Sequence, residues 1–352
     1  MTAGANLEIV SPGAYASIQD AGRRGFRRIG VPWAGVIDPR LMRIANALVG
    51  NAADAPVIEC FDGGLQLAAR GATLRVAVAG DARLELEHAG ERSAVPAWRS
   101  VSLADGDILR IRRMDGGRIA MVAVQGMALS QVMGSASTYA RAALGGVDGG
   151  ALRAGMHLPA PPARAGAELA LPRPPDASQA PVRVVPGPQA DHFAQAALDT
   201  FFGSDYRVTA EADRMGVRLE GPALEHLGTR EIISDATVPG SIQVPGNGQP
   251  IVLLADAQTA GGYPKIATVI CSDIPRLAAC RPGQTIRFAA VGAADGERIA
   301  RATEAETRAL IAGIVRVPAA GIDEAALYSA NLVSGVVHAL SPDYRTLGAA
   351  NE

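Results

Sequence analysis

Short β-branched runs, each closed by Gly, Pro or Asp, set the first limit on what this chain can become. Ala72 to Gly80 (ATLRVAVAG) alternates and then turns fully apolar. Ile108 to Arg112, Arg118 to Val124, Val182 to Val185, Ile251 to Ala255, Ile266 to Ile270 and Thr285 to Ala289 follow the same pattern. Segments this short and this rich in branched side chains read as strands. Forty Gly and 23 Pro supply the turns between them. Helix signals are fewer. Pro39 to Val49 has Asp38 as a cap, Pro39 at the first helical position and Gly50 as a stop. Asp191 to Phe201, Asp295 to Ile314 and Asp323 to Ala339 are further predicted helices. The expected class is mainly β with a few helices.

The stretch Leu158 to Pro181 (LPAPPARAGAELALPRPPDASQAP) divides the chain. Its Pro and Ala content marks a linker. The expected layout is a β domain over residues 1–157, a linker over 158–181, a second β domain over 182–292 and a helical extension over 293–352. A faint repeat favours two similar halves. DGDILRI at Asp105 to Ile111 resembles PGQTIRF at Pro282 to Phe288, and each reads as a turn feeding a strand.

Several function classes drop out. Net charge is −2 with acids and bases interspersed, and no basic stripe carries aromatics, so nucleic acid is not an expected partner. No apolar run is long enough to span a bilayer, and the N-terminal MTAGANLEIVSPG lacks a signal pattern. The expectation is a soluble cytoplasmic protein. Cys60, Cys271 and Cys280 have no paired or metal-type spacing, and Cys271, in an apolar run, reads as a buried thiol. The five histidines are isolated, so no metal site is expected. There is no Walker loop, no dinucleotide fingerprint, no Gly-x-Ser-x-Gly elbow and no Met-Lys-Met biotinylation site. ATP or biotin chemistry would therefore need another subunit or a site without a familiar local signature.

Two polar clusters remain. The first runs from Ser17 to Phe26 (SIQDAGRRGF) and on through GVPWAGVID to Asp38. It reads either as a solvated turn with a helix cap or as a substrate-facing loop in which Gln19, Asp20 and Arg23 present donors and acceptors. The second runs from Gly240 through Gln243 and the strand Ile251 to Ala255 into DAQTAGGYPK, Asp256 to Lys265. Gly261-Gly262 allow close backbone approach to a ligand, and Pro264 holds Tyr263 extended.

Lys265 is the chain's one lysine; the other 32 of its 33 basic residues are arginine. The two substitute freely in solvent but not where a compact or titratable amine is needed. Lys265 reads as an acid, a base or a point charge, against the alternative of a surface lysine with a packed stem.

These blocks resemble the allophanate hydrolase subunit 2 family, also called the biotin-dependent carboxyltransferase-like family. The resemblance runs from about Ile9 to Phe288. It rests on IQDAGRRGFRRIGVP, GVIDPRLMRIANALVGN, GSASTYARAALGG, RVVPGPQADHF, EADRMGVRLEGP and PGSIQVPGNGQPIVLLADAQTAGGYPKIATV. It implies two tandem cyclophilin-like β-barrel domains and a joint active site with a subunit 1-type partner, the B-like chain of 5-oxoprolinase. Family members include the C-type subunit of 5-oxoprolinase, where a third, A-like subunit joins and ATP hydrolysis opens a small cyclic amide. In the urea carboxylase relatives the same half-site holds carboxybiotin, and a further alternative is a regulatory protein that binds a subunit 1-type partner.

Positions matching the family motifs are Gln243, Gln258, Tyr263 and Lys265, with Asp256 and Asp213-Arg214 nearby. The resemblance implies that Lys265 balances an anionic oxygen, Tyr263 donates to it, Gln243 and Gln258 bind amide or carboxylate groups, and Asp256 orients Lys265. Arg214 is either a carboxylate clamp or the partner of Asp213. Ser137, Tyr139 and Arg141 form a weaker set. Two departures from the family pattern stand out. Ala257 and Ala260 replace an Arg and a Thr of the site loop, and Ser234-Asp235-Ala236 stands where Ser-Glu-Gly or Ser-Glu-Pro is common.

Overall fold

The computed structural model describes residues 4–176 and 178–318 in full, and the backbone of Val336–His338 and Ser341–Arg345. Among these residues the strands form three large sheets and two two-stranded ones. The first large sheet follows the order His157–Pro159, Asn6–Pro12, Leu65–Arg70, Ile108–Met114, Ala82–His88, Glu91–Val95. The second runs Tyr15–Gln19, Val57–Phe61, Ile119–Val124, Leu74–Ala79, Arg99–Leu103, Leu169–Ala170, Val315–Arg316. They share one apolar core that includes Leu7, Ile9, Ile18, Ile58, Leu67, Val76 and Val122.

The third sheet belongs to the second half of the chain. Its order is Thr285–Ile286, Tyr206–Ala212, Gly216–Glu220, Ile251–Leu253, Ser241–Gln243, Lys265–Val269, Val182–Pro186, Phe288–Ala290. Its two end strands are separated in the chain only by Arg287, so the sheet nearly closes on itself. The fold is mainly β and barrel-like, as expected. Closure protects strand edges that would otherwise offer unpaired backbone groups.

Helix α1 (Pro39–Val49) forms as its signals dictate. Asp38 Oδ1 accepts from the amides of Arg40 at 2.9 Å and Leu41 at 3.1 Å, and Gly50 ends the helix at φ 72°. Its buried face, with Ile44 and Leu48, joins Phe61, Ala77 and Met121 of the second sheet in a cluster that continues into Phe201, Tyr206 and Phe288 of the barrel. The two halves therefore share a continuous core. Helix α2 covers Gln195–Gly203, four residues later than predicted, because Ala190–His192 is a separate 3-10 turn. After α3 (Ile274–Ala278), α4 (Ala293–Ala312) returns to α1, with Arg40–Glu306 at 2.8 Å and Arg43–Glu304 at 2.5 Å.

Three expectations change. The Pro/Ala-rich stretch is packed against the first half rather than free. The Arg75 guanidinium donates to the carbonyls of Gly166 and Ala167, both at 3.0 Å, and Glu168 pairs with Arg99 at 2.7 Å. Backbone carbonyls are strong acceptors, so even a low-complexity segment can be tied down by a buried arginine. Cys271 is exposed, because it follows the end of the strand Lys265–Val269 in a turn rather than lying inside the sheet. The helix expected over Asp323 to Ala339 falls largely outside the described residues, and Val336–His338 at its end is a strand paired with Ser341–Arg345.

Candidate functional site at the junction of the two halves

Lys265 opens the strand Lys265–Val269, and the antiparallel register sets it opposite Gln243 of the neighbouring strand Ser241–Gln243. It is only 2% exposed. A buried ammonium requires a partner, and Asp235 supplies it: Nζ donates to Oδ2 at 2.8 Å. Asp235 lies on the short strand Asp235–Ala236, which pairs with Ala260–Gly261 of the site loop. Gln189 completes a ring. Its Nε2 donates to Asp235 Oδ2 at 3.0 Å, and its Oε1 accepts from the Lys265 amide at 3.3 Å. The hydrogen bond from Lys265, then those from the Ala236 amide and Gln189, hold the Asp235 carboxyl down to about 2. The Asp235 side chain is 50% exposed, so solvent or a ligand reaches the pair from its carboxylate side.

Beside this pair, Gln258 Nε2 donates to Gln243 Oε1 at 3.2 Å. Gln243 Nε2 is buried with no hydrogen-bond partner. An amide donor left unpaired in a protein interior is costly and points to a missing acceptor. Gly261 makes room for the two amides, since a Cβ there would lie 2.4 Å from Gln243 Nε2 and 3.4 Å from Gln258 Nε2. Tyr263 sits at the margin, 38% exposed, and its hydroxyl bonds to no described residue.

Asp256 does not orient Lys265. Its carboxylate takes a bidentate pair from Arg214, Nε to Oδ2 at 3.0 Å and Nη2 to Oδ1 at 2.8 Å. Arg214 Nη1 donates to Glu59, and Nη2 also donates to the Gly35 carbonyl at 2.6 Å. Asp213 is not its partner, because that carboxylate accepts from the Met215 and Gly216 amides at 2.8 and 3.2 Å. Burial alone would lower the Arg214 basicity, but the two carboxylates outweigh it and hold the guanidinium firmly charged.

Gln19, Asp20 and Arg23 of the first cluster are buried rather than solvated, and Gln19 closes the strand Tyr15–Gln19 instead of lying in a loop. Asp20 is fully engaged: it accepts from the Gly22 amide at 2.8 Å and from the Ser135 hydroxyl, the Ala136 amide and the Ser137 hydroxyl, each at 2.6 Å. It ties the segment Ser135–Ser137 to the first loop instead of presenting an acceptor. Arg23 is fully buried and donates to the Ser137 carbonyl, while its Nη1 has no partner. Gln19 Nε2 donates to the Ser17 hydroxyl at 2.9 Å and the Thr138 carbonyl at 3.2 Å, leaving Gln19 Oε1 and Thr138 Oγ1 buried and unpaired. Tyr139 frames a tight turn with Leu144, and the exposed Arg141 leans on the Met215 sulfur at 3.2 Å.

The two clusters meet across the junction. Arg27, in the loop that follows Arg23, donates to the Thr237 carbonyl, and the Thr237 hydroxyl donates to the Gln258 carbonyl. Arg24 and Arg27 lie over Trp33, 4.3 and 5.3 Å from its ring centre. The negative charge of Asp256 also reaches Arg23, after burial and Asp20 have acted on it. Sequence reasoning missed Glu59, Gln189 and Thr237 as site neighbours and marked Asp235 only as a departure. Glu59 left a signal, a lone carboxylate inside the apolar strand Val57–Phe61. Ala257, where the family commonly has arginine, is 2% exposed, so this departure is buried rather than solvent-facing.

The carboxyltransferase domain, subdomain A and B, model matches residues 29–290. The chain belongs to that family. It is 36% identical over 295 residues to the C-type subunit of 5-oxoprolinase from Escherichia coli, covering 80% of this chain and 90% of that one. To the same subunit from Haemophilus influenzae it is 35% identical over 300 residues, covering 85% and 95%. The crystal structure of Kluyveromyces lactis urea carboxylase superposes with a TM-score of 0.78 at 25% identity, covering 89% of this chain and 30% of that one. No described helix is long and apolar enough to cross a membrane.

For the groups the family implies, the donor set can be tested directly. The unpaired Gln243 amide beside Lys265 suits a carbonyl or carboxylate oxygen, and the unpaired Gln19 Oε1 suits an N–H. Each suits one group of a small amide, a lactam or a ureido ring. Among the described residues no group of three His, Cys, Asp or Glu gathers to hold a metal ion.

Proposed function

We propose that the chain is the C-type subunit of an ATP-dependent 5-oxoprolinase, opening 5-oxoproline to glutamate together with a subunit 1-type (B-like) partner and an A-like subunit. The observation that carries this reading is the buried, unpaired Gln243 Nε2 held against Gln258, beside the chain's single lysine. The similarity to two proteins named as this subunit of 5-oxoprolinase supports it.

In this reading Gln243 donates to a substrate oxygen, and Gln258 keeps the Gln243 amide turned so that its nitrogen faces the ligand. Lys265, fixed by Asp235, supplies positive potential where the amide oxygen gains negative charge. Gln19 Oε1 and Arg23 Nη1 face the substrate's other polar groups from the first barrel. Tyr263, half-exposed at the margin, closes over the ligand when the partner docks. ATP, bound on another chain, supplies the phosphoryl group that activates the lactam carbonyl. Asp20, Asp256 and Arg214 position loops and touch no substrate.

The domain layout proposed is a barrel over residues 1–157, a packed connector over 158–181, a barrel over 182–292 and an extension over 293–352. Ile29, Leu227, Ile233, Val238 and Tyr263 are large apolar side chains left exposed in the segments that frame the site. Such exposure suits a partner subunit. The proposed location is the cytoplasm.

The test is ADP release by the assembled complex with and without 5-oxoproline, with glutamate measured alongside. Stimulated release with stoichiometric glutamate supports the reading. A complete complex that shows no stimulation overturns it. The second reading, carboxyl transfer from biotin to an amide nitrogen, is favoured by the similarity to urea carboxylase. It predicts transfer from a biotinylated partner chain and no glutamate.

A further inference from the structure

Glu59 lies at the middle of the strand Val57–Phe61, all five of whose residues are buried. One carboxylate oxygen accepts from the Ile37 amide at 2.7 Å, and the other accepts from Arg214 Nη1. Arg214 in turn grips Asp256 with two hydrogen bonds. The side chains of Glu59, Arg214 and Asp256 are all nearly inaccessible, at 0%, 4% and 7%. One guanidinium thus binds a carboxylate from each half of the molecule.

We propose that Glu59 is a positioning residue for the site loop, acting through Arg214 and Asp256. Asp256 stands two residues before Gln258, whose amide orients Gln243. The Asp256 amide also donates to the Arg214 carbonyl at 2.9 Å, so the loop's first residue is held by backbone and side chain together. Arg214 Nη2 further holds the Gly35 carbonyl, and the next residue, Val36, donates its amide to the Asp20 carbonyl at 2.9 Å. One guanidinium therefore sets the spacing of both polar clusters. A buried pair of this kind contributes little net stability compared with apolar packing. Its value lies in geometry: a guanidinium fork accepts its partners in one plane and one orientation. The role in turnover rests on the function proposed above; the effect on the loop does not.

The test uses the full chain and, separately, the assembled complex. Glu59→Gln keeps the shape and, with its oxygen turned to Ile37, that contact, but it sets an NH2 donor against Arg214 Nη1 where the carboxylate accepted. In the isolated chain, hydrogen exchange of amides 256–261 should speed by about tenfold or more relative to the two apolar cores, whatever fall in melting temperature the broken pair brings. In the complex, kcat for 5-oxoproline should fall by about tenfold with KM changed less than about threefold, because pre-orientation is lost but the binding groups remain. Asp256→Asn should reproduce the local exchange effect, and the double variant should add nothing to it. If Glu59→Gln does not fold, Asp256→Asn carries the same exchange test from the other end of the chain of contacts. Exchange of 256–261 unchanged in the folded variant, or protection lost evenly across both barrels, overturns the proposal. A wild-type complex without 5-oxoproline turnover overturns the proposed function and leaves the exchange result to decide on Glu59.

Discussion

Lys265 Nζ and Asp235 Oδ2 sit 2.8 Å apart, a buried ammonium against a half-exposed carboxylate. The asymmetry sets the chemistry. The cation cannot leave its place, and the anion is the part that a ligand or partner can displace or approach.

Replacing the lysine tests that arrangement. Lys265→Met should lower turnover of the assembled complex by about 10²-fold, the cost typical of removing one preorganised donor from a site of developing charge. Gel filtration should show the complex intact. Lys265→Arg should not restore activity, since a planar guanidinium does not fit a pocket built for a compact ammonium. Turnover near the wild-type rate in either variant would remove Lys265 from the site.

Gly261 is a packing test. A methyl group there meets the Gln243 amide at 2.4 Å. Gly261→Ala should destabilise by about 1–3 kcal/mol through overpacking and disorder the glutamine pair. Calorimetric melting reads the first effect and substrate KM the second.

Acid should expose the Asp235 contact. Its folded pKa, about 2, lies below the reference 3.8, with the Lys265 hydrogen bond as the first cause. The stabilisation is therefore fully present above pH 3.8 and lost as pH falls through about 2. Asp235→Asn should melt at a lower temperature than wild type at pH 5, and the difference should shrink as pH falls toward 2 and vanish below it. A difference independent of pH would mean that Asp235 stabilises by packing alone.

Thiol chemistry should separate the cysteines. Cys271 is exposed, Cys280 is partly buried, and burial together with Glu59 pushes the Cys60 thiol up to about 12. The thiolate is the reactive form. At about pH 8, close to an ordinary thiol pKa, a chromogenic disulfide reagent should modify Cys271 rapidly and Cys60 only after unfolding. Cys271→Ser should abolish the fast phase.

Ile233 is 94% exposed in the segment leading to Asp235. Ile233→Asp should leave folding stability within about 0.5 kcal/mol of wild type, as solvent-facing substitutions do. It should weaken binding of the purified partner, measured by titration calorimetry. Unchanged affinity would take Ile233 out of the docking face.

The chain's local features were legible without a structure. Helix α1 carries its own cap, proline and stop, and the strands Leu74–Ala79 and Ile119–Val124 carry their own β-branched patterns. These signals act over a few residues, so the sequence states them directly. The lysine's uniqueness and the Gly261-Gly262 pair likewise marked the loop whose Gln258 proves to bond Gln243 of the neighbouring strand.

Partners were another matter. The order of residues alone does not show that Lys265 pairs with Asp235, or that Asp256 turns away toward Arg214 and Glu59. Glu59 and Arg214 are 155 positions apart and meet only because the first half's strand packs against the second half's loop. Sequence by itself determined some of the strands, where α1 begins and ends, and which loop carries the lone lysine and the Gly-Gly pair, because each follows from local backbone preference and side-chain pattern; strands such as Tyr15–Gln19 and Val57–Phe61, which carry polar residues, were not legible in it. Tertiary structure alone decided which charge faces which, because a buried ion pair depends on strand register and on how the two halves pack, and both follow from the whole apolar surface rather than from any short stretch of chain.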